Sequence, residues 1–209
     1  MAGPAGPFPG GRTADHSVDP QFPSRWSPRA FTAEPIPDEV LFSLFEAARW
    51  APSAFNGQPW RFVYARRDTP AWAPLFSALI PYNQHWVERA SVLMYVASDR
   101  FRRHPERAPT PNPTHSFDAG AAWGYLALQA HLLGWAAHGM AGFDHAQAYA
   151  ATGLPESDHQ IEAAIAVGRP TDASVLPESL QAREVPSGRA PVDAFVFEGR
   201  FSPGAQPGT

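Results

Sequence analysis

Ile36-Pro37-Asp38-Glu39-Val40-Leu41-Phe42-Ser43-Leu44-Phe45-Glu46-Ala47-Ala48-Arg49-Trp50 runs directly into Ala51-Pro52-Ser53-Ala54-Phe55-Asn56-Gly57-Gln58-Pro59-Trp60. The first part reads as an amphipathic helix. Pro37 suits a first helical turn, and Asp38 and Glu39 complement the positive end of the helix dipole. Val40, Leu41, Leu44, Phe45 and Ala48 recur at helical spacing and make an apolar stripe. Pro52 ends the helix, residues 51–59 form a loop, and residues 60–65 read as a strand.

Outward from this unit the same reading gives a mixed pattern. Residues 71–79 are expected to form a short helix. Residues 91–97 are a continuous apolar run, as in a buried strand. A proline-rich loop is expected at 105–113 and a strong helix at 118–133. That helix carries Ala119, Gly120, Ala121, Ala122 and Gly124, small residues that let a neighbouring backbone come close. The helix is therefore expected at the centre of the molecule or at a dimer interface. The chain turns at Gly134, a short helix follows at 145–152, and residues 161–167 read as another strand. Strands and helices mix without regular alternation, which points to an α+β fold. Residues 1–22 read as a disordered or extended arm, residues 23–201 as one domain, and 202–209 as a flexible end. From about residue 171 the chain is polar and punctuated by proline, then ends in an apolar cluster around Phe195 and Phe197.

Composition narrows the chemistry. A net charge of -4 argues against a general nucleic-acid binder. With no cysteine, thiol catalysis, disulfides and iron–sulfur clusters are excluded. There is no lysine either, and all 16 basic residues are arginine. A Schiff base on pyridoxal phosphate and a Walker-type phosphate loop both require lysine and are excluded. Anions must be held by arginine, backbone N–H groups or hydroxyls. No apolar run approaches the roughly 20 residues needed to span a bilayer, and no secretory signal is visible. The expectation is a cytoplasmic protein that binds neither membrane nor nucleic acid. His131 and His138 are seven apart, a spacing at which two residues can share a helix face, but no further ligand stands at zinc-like spacing, so no metal site is expected.

Four segments carry candidate chemistry. In Arg25-Trp26-Ser27-Pro28-Arg29-Ala30-Phe31, two arginines flank a hydroxyl, a set that can hold phosphate through charge-assisted bonds or be a solvated basic loop. In the loop at 51–60, Asn56 and Gln58 each offer a donor and an acceptor and can read a ring edge alternating C=O with N–H; a polar turn is the plainer reading. In Gly134-Trp135-Ala136-Ala137-His138-Gly139-Met140-Ala141-Gly142-Phe143-Asp144, small residues permit close approach to a flat ring, or simply cap a helix and turn the chain. The last segment is Arg183-Glu184 with Ser187-Gly188-Arg189-Ala190-Pro191, otherwise a charged linker. There is no G-x-G-x-x-G, H-E-x-x-H or G-x-S-x-G.

In their order and spacing, the Arg-x-Ser-x-Arg-x-Phe start, the Ala-Pro-Ser-x-x-Asn-x-Gln-Pro-Trp-Arg-Phe loop and the Met-Ala-Gly-Phe-Asp turn resemble the FMN-dependent nitroreductase family, particularly its short members. The resemblance runs from about residue 25 to residue 201. It implies a three-layer α+β fold, with a central, mostly antiparallel sheet flanked by helices, and an intertwined homodimer with FMN at the subunit interface. By similarity, Arg25 and Ser27 hold the phosphate and ribityl end, and Arg29 sits near the flavin pyrimidine. Pro52, Ser53, Ala54, Asn56 and Gln58 line the flavin. Gly139, Met140, Ala141 and Gly142 run along the ring near N5. Arg189 returns from the tail to the phosphate, and residues 171–201 embrace the partner. Trp26 stands where a basic or small polar residue is common and is left packing on either the flavin or the partner. Phe55, Tyr82 and Trp86 are candidates for the substrate wall, with core packing the equal alternative. Many relatives have two basic residues in the tail motif; this chain has Ser187 and Arg189.

The implied activity is ping-pong hydride transfer from NADH or NADPH through flavin N5 to a nitroaromatic, quinone or similar electron-poor acceptor. No acid, base or nucleophile of the protein is needed, because the cofactor carries the chemistry. Two alternatives keep the same fold: a specialised flavin enzyme of the dehalogenase or azoline-oxidase type, and a non-catalytic FMN-binding or sensing protein.

Overall fold

A computed structural model describes residues 8–201. In chain order its elements are α1 (Gln21–Ser24), α2 (Asp38–Arg49), β1 (Trp60–Arg66), α3 (Trp72–Ser77), α4 (Pro81–Val87), β2 (Val92–Asp99), β3 (Phe101–His104), β4 (Arg107–Pro111), α5 (His115–Leu132), β5 (Ala136–Met140), α6 (His145–Thr152), β6 (His159–Gly168) and α7 (Glu178–Gln181). The described residues fall into two compact units, a sheet unit of residues 27–184 and a terminal unit built from residues 8–26 and 185–201. The sequence pattern alone suggests a single domain over 23–201.

In the sheet unit the strand order is β1-β2-β6-β5, and every pairing is antiparallel. All eight residues of β2 are buried. Antiparallel sheets commonly leave one face to water and then alternate polar with apolar. This one is covered on both faces. Leu93, Tyr95 and Ala97 join one core with Leu75, Trp86 and Ala148, beneath α3, α4 and α6. Val92, Met94 and Val96 join a second with Leu41, Leu44, Ala122, Leu126 and Ala130, beneath α2 and α5. The result is three layers. The small side chains of α5 let it pack on α2 while still covering the sheet.

The pairing of β2 with β6 slips by one residue between Val96 and Ala97: Val96 faces Ala163 and Ala97 faces Ile161. Glu162 is the extra residue of this β-bulge. A bulge resets the alternation of side chains. Ala163 accordingly packs in the core under α2 and α5, whereas Ile161, two positions away, packs in the opposite core. Glu162 accepts hydrogen bonds from Ser98 Oγ at 2.5 Å, Ser116 Oγ at 2.7 Å and Gln160 Nε2 at 3.1 Å. This ties the start of α5 to the end of the sheet.

Several expectations are corrected. The stretch at 105–113 belongs largely to the β3–β4 hairpin, not a loop. All five residues of β4 are exposed, so no apolar period marks it. Residues 81–87 form a helix, α4, with Pro81 at its first turn. Residues 136–140 form a sheet strand, β5, not only a turn. His131 therefore lies on α5 and His138 on β5, so they share no helix face. Residues 171–184 are not a loose tail: Thr171 N donates to Ala30 O at 3.0 Å, and Leu176 and Leu180 are buried in the core.

In the terminal unit, residues 8–22 carry more structure than the arm expected from the sequence. A 3-10 turn spans Pro9–Gly11, with Gly10 and Gly11 at φ 74° and 72°. Arg12 Nη1 donates to Pro23 O at 2.6 Å and Arg25 O at 2.9 Å, and Val192 N donates to Asp15 Oδ2 at 2.8 Å. The flexible end expected at 202–209, and the first seven residues of the arm, lie outside the described residues.

Gly168 ends β6 against Phe31, which is fully buried. A Cβ there would lie 2.6 Å from the Phe31 ring. Gly168→Ala is expected to destabilise the protein by about 1–3 kcal/mol through overpacking. Denaturant unfolding of wild type and variant checks this; a change inside experimental error would refute the close packing.

Candidate functional site

The loop at 51–59 is held from below and open above. Ala54 N donates to Asp118 Oδ2 at 3.2 Å, and Thr114 Oγ1 donates to the same oxygen at 3.1 Å. Asp118 is buried on α5 and so pins the loop to the central helix. Gln58 N donates to Ser53 Oγ at 3.1 Å, and Gln58 Nε2 to Asn56 O at 3.1 Å. Phe55, Asn56 and Gln58 all have left-handed backbone, at φ 53°, 53° and 45°. That conformation costs a residue other than glycine about 1–2 kcal/mol. Strain concentrated in so short a loop needs surroundings that enforce it, and such strain gathers at ligand sites. The side chains presented by this backbone are exposed. Phe55 is 88 % exposed, and the Arg102 guanidinium lies 4.7 Å from the centre of its ring.

The segment at 139–142 leaves the edge strand β5. Gly139 stands under the Trp123 indole, 3.1 Å from where a Cβ would lie. At Gly142 a Cβ would lie 2.5 Å from Asn83 Nδ2, which itself donates to Gly142 O at 2.8 Å. Gly142 is therefore required by packing against α4. Met140 is buried, and Ala141 is exposed. His138 Nδ1 lies 2.9 Å from Pro28 O, which brings the Ser27-Pro28-Arg29 stretch beside β5. Ser27 and Arg29 are half-buried.

Arg29 is not a free cation. Its Nη1 is 3.7 Å from Glu184 Oε2, and Glu184 Oε1 accepts from Arg29 N at 2.6 Å and Ala30 N at 2.8 Å. Of the aromatic candidates, Trp86 lies in the core, 1 % exposed, with its ring 4.7 Å from that of His138. It is not a wall of an open site. Tyr82 is partly exposed, and its Oη accepts from Arg183 Nη1 at 3.2 Å.

The terminal unit holds Arg12, Arg25, Trp26 and Arg189; Arg25 and Trp26 are half-buried. A cavity of about 300 Å³ is lined by Gly10, Arg12, Asp15, Phe22, Gly188 and Arg189, among others. Burial, then repulsion from Arg189 and Arg25, lowers the proton affinity of the Arg12 guanidinium. Burial and then Arg189 push Arg25 the same way. Arginine stays charged under such a shift. Arg12 Nε is also buried with no hydrogen-bond partner among the described residues. Converging guanidiniums and an orphaned donor suit a polyanionic oxygen group such as a phosphate. The residues present thus fit the phosphate end of a mononucleotide.

Asp118 and Glu184 in the sheet unit, and Arg12 in the terminal unit, escape a reading of the sequence. Asp118 passes as an ordinary first-turn acid of a helix. Glu184 passes as part of a charged linker. Arg12 lies in a stretch whose glycine and proline content suggests no structure. Among the described residues no cluster of three metal-ligating side chains is present, and no helix is long and apolar enough to cross a membrane. Glu184→Ala would leave two amides and the Arg29 cation without their carboxylate. It is expected to destabilise the fold by about 3 kcal/mol, the scale of breaking a buried pair. Thermal and denaturant unfolding measure this; a loss under about 0.5 kcal/mol, typical of a surface change, would refute the anchoring role.

The family model described as Nitroreductase family matches residues 23–75 and 69–169. The chain is 28% identical over 201 residues to a NADH dehydrogenase of Thermus thermophilus, covering 83% of this chain and 91% of that one. It is 31% identical over 149 residues to an inferred NADH dehydrogenase/NAD(P)H nitroreductase of Rhodopseudomonas palustris, covering 63% of this chain and 74% of that one. Among solved structures, an oxidoreductase containing FMN superposes with a TM-score of 0.88 at 48% identity, over 92% of this chain and 97% of that one. An inferred nitroreductase from Desulfovibrio desulfuricans, in complex with FMN, gives 0.69 at 29% identity, over 89% and 100%. With its antiparallel sheet between two helical layers and its strained polar loop in place, this chain belongs to the nitroreductase family.

Proposed function

We propose that the protein is an FMN-dependent oxidoreductase that takes electrons from NADH or NADPH and passes them to an electron-poor acceptor such as a nitroaromatic or a quinone. The observation that carries this reading is the loop at 51–59. Three of its side chains, Phe55, Asn56 and Gln58, are exposed on a backbone held in left-handed conformation. FMN in the two solved relatives named above supports the same cofactor here.

FMN, when bound, supplies a hydride-accepting ring atom, so the protein needs no acid or base of its own. The residues of the chain bind and orient. Asn56 and Gln58 would read the polar edge of the ring, with Pro52, Ser53 and Ala54 forming the rest of that loop. Gly139, Met140, Ala141 and Gly142 would lie along the ring through backbone groups; Gly142 has its own packing duty. Ser27 would bond the ribityl or phosphate oxygens. Arg29, oriented by Glu184, would stabilise negative charge developing on the pyrimidine. Arg25 and Arg189 would hold the phosphate. Trp26 would pack on the flavin or on a second subunit, and Phe55 and Tyr82 would border the acceptor.

A homodimer belongs to the proposal. Phe117, Tyr125 and Leu132 of α5 are 81 %, 43 % and 60 % exposed, and the face they share includes Gly120 and Gly124, where a Cβ would meet no atom of another described element within 4 Å. An apolar stripe with a small-residue groove on a central helix suits a second copy of that helix. In the terminal unit Phe195 and Val196 are exposed as well, as an embracing tail requires.

The purified protein is expected to be yellow, and its flavin to bleach under anaerobic NADH or NADPH and regain colour with a nitroaromatic or quinone. A colourless protein that ignores added FMN would overturn the cofactor; a bound flavin that neither nicotinamide bleaches would overturn the reaction. Arg25→Ala is expected to weaken FMN binding about ten- to a hundredfold, the worth of one charge-assisted hydrogen bond. Tyr125→Arg should convert dimer to monomer in sedimentation, and an undisturbed dimer would exclude α5 as the interface.

A further inference from the structure

We propose that Arg12, ahead of the residues the family model matches, is a third cation of a phosphate-monoester pocket in the terminal unit, beside Arg25 and Arg189. The family match begins at residue 23, so nothing in the family pattern assigns Arg12 a role.

Three observations carry the assignment. Arg12 and Arg189 line one cavity of about 300 Å³, and glycines 10, 11 and 188 are on its wall. A Cβ at Gly11 or Gly188 would meet no atom of the described residues within 4 Å. The second observation is where the guanidiniums donate. Arg12 Nη1 bonds the carbonyls of Pro23 and Arg25, and Arg189 Nη1 bonds the carbonyls of Ser187 and Gly188 and the Ser187 hydroxyl. These are neutral acceptors, and Arg12 Nε, buried, has none among the described residues. Two carbonyls hold the Arg12 side chain in place without neutralising it.

The third observation is charge. Arg12 and Arg189 share the cavity wall, and Arg25 stands near enough to repel Arg12. One carboxylate, Asp15, is on that wall and accepts from Val192 N at 2.8 Å; it offsets one of the three positive charges. Like charges gathered in a partly buried place are unfavourable unless an anion joins them. A phosphate monoester carries about -1.5 to -2 near neutral pH and presents three acceptor oxygens, so it can answer several guanidiniums at once. A carboxylate brings a single charge and two oxygens. In a chain without lysine, a further permanently charged phosphate partner can only be arginine, and the N-terminal segment supplies one.

That the phosphate is the one on FMN rests on the proposed function; the pocket itself does not. The test titrates full-length wild type, Arg12→Gln and Arg189→Gln with FMN and with riboflavin, which lacks the phosphate, by flavin fluorescence. Circular dichroism checks that each variant is folded. The expected result is an FMN affinity reduced about ten- to a hundredfold in Arg12→Gln, with riboflavin affinity unchanged. Equal loss for both ligands would mean that Arg12 only braces the chain at Pro23 and Arg25, and would overturn the proposal. So would an unchanged FMN affinity. If wild type binds neither flavin, the proposed function fails first. The pocket is then judged with inorganic phosphate: a rise in the unfolding temperature of wild type that Arg12→Gln lacks supports it, and no rise in wild type overturns it.

Discussion

Burial of the sheet on both faces is the constraint from which the rest of the sheet unit follows. β2 and β6 sit side by side in the middle of the sheet, and neither face is left to water. Helices must cover both sides, so the chain cannot be a two-layer α+β fold. One layer is made by α2 and α5, the other by α3, α4 and α6. The loop at 51–59 leaves α2, returns as edge strand β1, and is fastened to α5 by Asp118. Its position is thus set by two elements of the same layer. A loop so tightly fixed can hold three left-handed residues; a freely hanging one would relax.

Much of the fold was legible because it obeys simple periods. α2 shows the helical stripe, α5 its run of small and apolar residues, β2 its unbroken apolar character, and α6 begins at Asp144, whose carboxylate accepts from Gln147 N at 2.8 Å. What escaped has a physical reason in each case. β4 has no buried face, so its sequence shows no alternation. β5 reads Ala-Ala-His-Gly-Met, without the β-branched residues that mark a strand; its place at the sheet edge, paired to β6, holds it there. The chain at 171–184 looks like linker, yet Leu176 and Leu180 are buried in the core and Glu184 accepts from the N–H of buried Ala30.

The candidate site was legible in kind more than in detail. The amides Asn56 and Gln58 could be picked out from residue type and order. The strain beneath them could not, since Phe55 and Gln58 are not residues that ordinarily announce a left-handed backbone. Arg29 reads in sequence as a cation awaiting an anion, but Glu184, 155 residues further on, already accepts its backbone N–H. Trp86, which the sequence left between substrate wall and core packing, lies in the core. Its indole Nε1, buried without a partner among the described residues, gives no sign of itself in the sequence.

The bulge at Glu162 has a consequence for how this chain can change over generations. Substitutions along β6 exchange one side chain for another and leave the rest in register. Losing a single residue there is a different event. Loss of Glu162 would restore regular pairing with β2, with Val96 still opposite Ala163 and Ala97 still opposite Ile161, so both cores would keep their side chains. The carboxylate that gathers Ser98, Ser116 and Gln160 would be lost, freeing the beginning of α5. The extra residue is therefore there for its carboxylate rather than for the cores: it joins the sheet to the start of α5 without disturbing either side of β6.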